Sequence, residues 1–481
     1  MIPIHKGTRV TVVGLGVHGG GVGSVRWLLK QGATVCICDR KSKKELPSSV
    51  AEVMRIYRQY KAHIPTLPAP TWRLGTAHTR SQIARSQLIV VNPDVPRTSA
   101  TFQWAAELRI PIRVGDTTLF VERFAGRIIG ITGTRGKTTT TTLIGNMMRG
   151  VHKDTIVAGN LRISPLDFLQ RPRWAVLELS SWQVEGLNDI KKSPHIAVMT
   201  NIAPDHLNRY PSMAAYARAK SLLLKYQQAT DHAVLNYDQT IIRAMASKTK
   251  ARKWWVSSTV LPKRYNGAYL DRGRLWIRTR GVSHNVIARS SLRLDDDHVV
   301  VNMLFAIAAA TAADMPRSII TQSLRKFRGV WGRNQRVRMV RGVEYINDTA
   351  ATIPEATQAA IRALLKRNRA GKIILLAGGM DKGLDYMPFL AAILPYLKAL
   401  VFFRGNASDK MREIVGTLQQ NGGTPPRLAG PVASMESAVL KAAAMATPGD
   451  VVLLSPAAAS FGIFRHAYDR GQQFERIVRG L

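Results

Sequence analysis

Gly133-Thr134-Arg135-Gly136-Lys137-Thr138, with a further threonine at Thr139, sets a lysine and hydroxyls directly behind two glycines. Glycines let backbone N–H groups approach phosphate oxygens, a lysine reaches terminal phosphates as a point charge, and a hydroxyl can hold Mg²⁺. The apolar run 127–131 before the loop reads as a strand. The segment 139–148 after it reads as a helix, with Thr140, Leu143, Ile144 and Met147 at helical spacing. Strand, glycine loop and helix N-terminus in that order make a cradle for a nucleoside triphosphate, so ATP is the expected substrate. The cradle is read as running from Gly130 to Thr138, and its match to the usual G-x-x-x-x-G-K-[ST] pattern is offset, because Gly130 precedes Gly136 by six residues and the position five before is Ile131.

Other residues with chemistry stand at the ends of later apolar runs. Glu178 closes Val176-Leu177-Glu178, and Asp205 and His206 end Thr200-Asn201-Ile202-Ala203-Pro204-Asp205-His206. Hard Mg²⁺ prefers carboxylate oxygen, so such a cluster could hold a metal ion beside ATP. Taken singly, Glu178 reads as a capped strand-end carboxylate and His206 as a loop histidine. Lys220, in Tyr216-Ala217-Arg218-Ala219-Lys220, reads as part of an exposed basic helix face. Near the N-terminus, Gly14-Leu15-Gly16-Val17-His18-Gly19 follows a strand, and Asp39 ends the next one. That fingerprint alone spells a dinucleotide-binding fold, which keeps an NAD-linked dehydrogenase open as a rival.

The elements that must position these residues are short β-rich runs that end in glycine or polar residues. They fall at 10–13, 35–38, 88–91, 128–131, 175–179, 196–199, 373–377, 400–403 and 451–454, with helix-length segments between them. Continuous apolar runs of this kind are what parallel strands buried on both faces look like, so the class is α/β, with ligands beyond the carboxyl ends of the strands. The 481 residues suffice for several domains, and three blocks suggest themselves at 1–124, 125–327 and 328–481. The weakly polar stretch 299–315 contains Asn302 and many alanines, and reads as a buried helix rather than a membrane span. With no leader-like sequence at the start, the cytoplasm is the expected location. Cys36 and Cys38 alternate on one strand face, which suits a structural role better than a disulfide framework. Sixty-nine Lys and Arg against 31 Asp and Glu leave +38, a field that would attract polyanions. A basic nucleic-acid-binding protein is therefore a further rival. The basic residues are dispersed, however, without zinc-knuckle spacing or an aromatic RNA-binding motif, so no specific nucleic acid is expected as a partner.

The T-G-T-x-G-K-T form of the loop, followed by Glu178 in Leu-Glu-Leu-Ser-Ser-Trp-Gln and by His206 in its motif, resembles the Mur ligase family. These are ATP-dependent enzymes that add amino acids to cell-wall precursors. The resemblance implies a Rossmann-like N-terminal domain for a uridine-diphosphate substrate, a P-loop-type central ATPase domain, and a Rossmann-like C-terminal domain for the incoming amino acid. It implies ATP contacts at Gly133, Thr134, Arg135, Gly136, Lys137, Thr138, Thr139, Asn302, Arg336 and Asp348. Uridine-substrate contacts are implied at Gly14, Leu15, Gly16, Asp39, Arg40, Asn160, Ser180 and Gln183. Two Mg²⁺ ions are implied, held by Thr138, Glu178, His206 and Lys220, the last as a carbamate formed with carbon dioxide; with Lys137, these make the catalytic set. Asn-Asp-Thr-Ala-Ala-Thr at 347–352 and Leu-Leu-Ser-Pro-Ala-Ala-Ala-Ser at 453–460 resemble the branch that adds D-glutamate to UDP-N-acetylmuramoyl-L-alanine. Thr352, Lys382, Ser460 and Phe461 are the implied amino-acid contacts. Ala350 stands where that branch carries lysine and Ala467 where it carries phenylalanine, so another acceptor such as L-glutamate stays open. A monomer is expected.

Overall fold

Each of the nine apolar runs forms a strand, because helices cover both faces of the sheets and leave no room for a polar alternation. The computed structural model describes residues 2–16, 20–76, 78–159, 164–169, 173–205, 209–367, 372–381, 383–420, 426–460 and 462–481, with the side chains of 366, 367 and 420 excepted. Asn160, His206, Lys382 and Phe461 of the expected site lie outside the described residues. The chain divides into two units, Met1–Phe327 and Arg328–Leu481.

The first unit holds two sheets. β1 (Arg9–Val13), β2 (Thr34–Asp39), β3 (Thr71–Leu74), β4 (Leu88–Val91) and β5 (Ile112–Val114) run parallel in the order β3-β2-β1-β4-β5. The order reverses between β1 and β4, where the loops leaving neighbouring strands diverge and open a crevice. Cys36 and Cys38 share a face of β2 as free thiols, with Sγ atoms 3.9 Å apart.

The second sheet contains β6 (Arg127–Thr132), β7 (Ile156–Gly159), β8 (Trp174–Glu178), β9 (Ile196–Met199), β10 (His232–Asn236), β11 (Arg252–Ser257), β12 (Gly267–Asp271), β13 (Arg274–Thr279) and β14 (Val282–Ala288). Its order is β7-β8-β6-β9-β10-β11-β12-β13-β14; β12 with β13 and β13 with β14 pair antiparallel, and the other pairs are parallel. β6 therefore sits between β8 and β9, so the loops that leave these three strands converge. The helix Lys137–Arg149 packs on the helix Asp297–Ala312, the alanine-rich segment expected to be buried. Among the described residues no helix is long and apolar enough to cross a membrane.

In the second unit, β15 (Gln335–Val340), β16 (Val343–Asn347), β17 (Ile373–Ala377), β18 (Leu397–Phe403), β19 (Arg427–Val432) and β20 (Val451–Leu454) lie in the order β15-β16-β20-β17-β18-β19. All pairs are parallel except β15 with β16. The α/β class holds in all three sheets.

Candidate functional site

The phosphate loop leaves β6 and turns into the helix Lys137–Arg149 at Gly136, whose φ of 80° is left-handed. A Cβ on Gly136 would lie 2.2 Å from Asn302 Oδ1, and one on Gly133 would lie 2.0 Å from Thr200 Oγ1. Both glycines are thus required by close approach as well as by backbone conformation. Gly130 is different. It lies buried inside β6, where a Cβ would meet Pro194 Cγ at 2.4 Å, so the offset glycine serves strand packing and not the cradle. Gly136→Ala is expected to lower stability by about 1–3 kcal/mol through left-handed strain and displacement of Asn302. Denaturant unfolding would measure this, and ATP-analogue affinity should fall with it.

The loop leaving β9 braces the cradle. Thr134 N–H donates to Asn201 O at 2.8 Å, Arg135 N–H donates to Asn201 Oδ1 at 2.9 Å, and Thr200 Oγ1 donates to Arg135 O at 2.7 Å. Asn236 Nδ2 in turn donates to Thr200 O at 2.7 Å. Thr200, Asn201 and Asn236 are site residues that the sequence reading missed; their only signal was a polar residue at the end of β9 and of β10. The Thr134 hydroxyl accepts from Ala203 N–H at 3.0 Å and lies 3.3 Å from Tyr216 Oη. Thr134 and the Arg135 backbone therefore hold the loop's shape. Lys137 Nζ donates to Gly133 O at 3.0 Å and Thr134 O at 2.9 Å, which sets the ammonium over the loop. Asn302, expected as an ATP contact, is only 6% exposed and lies beside Gly136 and Thr140 at the base of the cradle. Thr138 and Thr139 occupy the first turn of the helix and are half-buried.

Glu178 ends β8 directly beside Ile131 of β6 and is 2% exposed. Lys220, which alone read as exposed, is 1% exposed. It closes the helix Met213–Ser221 and points inward, with Nζ donating to Gly133 O at 3.0 Å and lying 4.7 Å from the Tyr216 ring. Burial, and then the neighbouring Lys137 charge, lower its pKa from the ordinary 10.5 to about 7. A buried amine of this kind has a substantial neutral fraction near pH 7 and can act as a nucleophile. Ser180 and Gln183 form a reciprocal capping box at the start of the helix Ser181–Asp189. Gln183 Nε2 also donates to Thr117 Oγ1 at 2.9 Å.

In the first sheet the switch-point crevice is lined by Gly14, Gly20, Gly21, Asn92, Pro93 and Gly115. Asp39 accepts from Gly16 N–H at 3.1 Å and Lys41 N–H at 2.9 Å, which fixes the glycine turn. Leu15 is fully buried core, so what it offers a ligand is its backbone, whereas Arg40 is exposed. Asn92 packs against Gly14 and was not foreseen as a site residue.

In the second unit Asp348 follows β16, accepts from Asn334 N–H at 3.1 Å and Ser455 Oγ at 2.7 Å, and has its pKa pushed up to about 6 by burial. Arg336 pairs with Glu344 at 3.1 Å on β15 and β16. Thr352 follows within the same loop as Asp348, and Ser460 borders a small pocket with Gly378, Gly379, Arg404 and Arg470. Arg470, fully buried, donates to Thr349 O at 3.0 Å and to Ala458 O at 3.4 Å, tying the Asp348 loop to the Ser460 loop.

A glycine cradle at the end of a parallel strand, a lysine over it and a buried carboxylate beside it define an α/β nucleoside-triphosphate enzyme. The Mur ligase middle domain family matches residues 131–310, and the Mur ligase glutamate ligase domain family matches residues 332–458. The chain is 38% identical to UDP-N-acetylmuramoylalanine–D-glutamate ligase of Roseiflexus sp., over 99% of each chain. It is 34% identical to the enzyme of that name from Marinobacter nauticus, over 100% of each. Among solved structures, UDP-N-acetylmuramate-alanine ligase from Thermotoga maritima shares the fold with a TM-score of 0.57 at 17% identity, covering 98% of this chain and 99% of that one. MurF from Acinetobacter baumannii shares it with a TM-score of 0.55 at 18% identity, covering 82% and 87%. The chain belongs to the Mur ligase family of ATP-dependent acid–amino-acid ligases. This displaces the dehydrogenase and the nucleic-acid-binding protein as readings of the whole chain.

Proposed function

We propose that the protein joins D-glutamate to UDP-N-acetylmuramoyl-L-alanine in peptidoglycan precursor synthesis, acting in the cytoplasm as a monomer. The observation that carries this reading is full-length similarity to D-glutamate ligases combined with a lysine-bearing cradle in the matching place. Residues 1–124 would bind the uridine substrate, 125–327 ATP, and 328–481 the amino acid. Gly14, Gly16, the Leu15 backbone, Asp39 and Arg40 suit the nucleotide, with Ser180, Gln183 and Asn160 toward its sugar end. Asn302, Arg336 and Asp348 are proposed for the nucleoside and phosphates of ATP. Thr352, Ser460, Lys382 and Phe461 are proposed for glutamate, whose two carboxylates suit a cation and hydroxyl donors.

A terminal carboxylate oxygen of the UDP substrate attacks the γ-phosphorus of ATP, and the bond to the bridging oxygen of ADP breaks. The glutamate amine then attacks the acyl carbon, and the tetrahedral intermediate expels inorganic phosphate as the nitrogen loses its proton. Lys137 and the loop N–H groups hold the transferring phosphoryl group where its charge develops. Thr138 hydroxyl, in the first turn of the helix after β6, and Glu178 carboxylate, at the end of the neighbouring β8, are hard oxygen donors that suit Mg²⁺, with His206 and carbamylated Lys220 proposed to complete the set. Bound magnesium would neutralise phosphate charge.

Phosphate release from ATP, assayed with each UDP-muramoyl substrate and a panel of amino acids, tests the reading. Release is expected only with UDP-N-acetylmuramoyl-L-alanine and D-glutamate together. Ala350 favours one second reading, a different acceptor, which would show as turnover with L-glutamate or another amino acid instead.

A further inference from the structure

Arg209 contacts the loop that leaves β4 beside the first-sheet crevice, and the ring of Trp182. Its guanidinium donates from Nη2 to Pro93 O at 3.0 Å and Val95 O at 3.5 Å, and from Nη1 to Asp94 O at 3.3 Å. The same group lies 4.3 Å from the centre of the Trp182 ring. Pro93 to Val95 belong to the loop that leaves β4 at the switch point. Asn92 and Val95 of that loop stand against the glycine turn, since a Cβ on Gly14 would lie 2.8 Å from Asn92 Cβ and 3.5 Å from Val95 Cγ2. The far end of the loop is tied down too, because Arg97 donates to Asp189 at 3.0 and 2.8 Å, on the helix whose first turn carries Trp182.

On its other side Arg209 leads to the phosphate loop. The next residue, Tyr210, is buried with its ring 5.3 Å from that of Tyr216. Tyr216 reaches Thr134 Oγ1 at 3.3 Å and packs on Lys220. A continuous run of contacts thus joins the crevice of the first sheet to the cradle of the second, all inside one unit. Arg209, Tyr210, Tyr216 and Trp182 are not part of the machinery assigned above.

We propose that Arg209 is a positioning residue that couples the two substrate sites. A nucleotide diphosphate in the crevice fixes the loop from Asn92 to Arg97, and Arg209 passes that order through Tyr210 and Tyr216 to Thr134 and Lys220. Each substrate then tightens the other, as linkage requires. Arginine suits the position because a planar guanidinium can stack on indole and still donate in its plane to several carbonyls, whereas a lysine ammonium has no plane to stack and spreads its donors less widely. The proposal rests on the reading of the crevice as the uridine-substrate site.

The test measures affinity of the full chain for a non-hydrolysable ATP analogue, with and without saturating UDP-N-acetylmuramoyl-L-alanine, in wild type, Arg209→Ala, Arg209→Lys and Trp182→Leu. Wild type is expected to bind the analogue about five-fold or more tightly when the UDP substrate is present. Arg209→Ala should bring that ratio to near one while analogue affinity alone and Tm stay near wild type. Arg209→Lys should recover little of it, and Trp182→Leu should retain part. A wild-type ratio of one, or an unchanged ratio in Arg209→Ala, overturns the coupling. So does a loss of Tm and of both separate affinities together, which marks a merely structural role. Failure of wild type to bind or turn over UDP-N-acetylmuramoyl-L-alanine would instead count against the substrate reading.

Discussion

Lys137→Ala is expected to lower turnover by on the order of 10²–10³-fold, the cost typical of removing one preorganised charge-stabilising donor. The ammonium is held over the cradle by Gly133 O and Thr134 O, so it meets a phosphoryl group without reorganising. Its charge matters most as negative charge moves onto the bridging oxygen, so the loss should fall on kcat more than on the KM for ATP. Binding of the UDP substrate should stay within about two-fold of wild type, because Gly14, Gly16 and Asp39 lie on a different sheet. Arginine should not restore the rate, since a planar fork cannot occupy the place of a compact ammonium. Steady-state phosphate release and equilibrium binding of the UDP substrate separate these outcomes; near-normal turnover in the alanine variant would mean that the loop is not the catalytic cradle.

Lys220→Met is expected to move activity and stability in opposite directions. The ordinary pKa of 10.5 describes the unfolded chain and about 7 the folded one, so between those values the unfolded state binds more protons. Folded stability contributed by this site therefore falls as pH drops from about 10.5 toward 7, and the cost at neutral pH is up to about 4 kcal/mol. Methionine fills a similar volume without a charge to desolvate. In buffer free of carbon dioxide, Tm should rise by roughly 2–4 °C for each kcal/mol recovered. Turnover should drop by on the order of 10²-fold or more, because the variant cannot form the carbamate proposed as a metal ligand. In wild type the proposed carbamate predicts that turnover should fall as pH drops through about 7, since only the neutral amine adds to carbon dioxide. A methionine variant that keeps wild-type turnover would remove Lys220 from the site.

Lys220 also shows where sequence reading ran out. Its local pattern, alternating alanines and basic residues, has the composition of a solvated helix face, and only the long-range packing of that helix against Gly133 turns it inward. The phosphate loop was legible because glycine, lysine and threonine act within one turn. Strands such as 196–199 and 451–454 were legible because burial on both faces leaves an unbroken apolar run. The braces were not. Thr200 and Asn201 bond to Arg135 across some 65 positions of sequence, and nothing local marks such a pairing. Gly130 misled in the other direction, since a glycine near the loop looked like part of it although Pro194 and Leu179 demand it within the strand. Ser180 with Gln183 carried a capping-box spacing that was legible and went unused.

The most direct test of the proposed chemistry follows one oxygen atom. UDP-N-acetylmuramoyl-L-alanine labelled with ¹⁸O in its alanyl carboxylate is incubated with the enzyme, ATP and D-glutamate, and the released phosphate is analysed by mass spectrometry. Attack of that carboxylate on the γ-phosphorus predicts one ¹⁸O atom in each phosphate released, with release dependent on both substrates. Unlabelled phosphate, or phosphate released regardless of the UDP substrate, would contradict it.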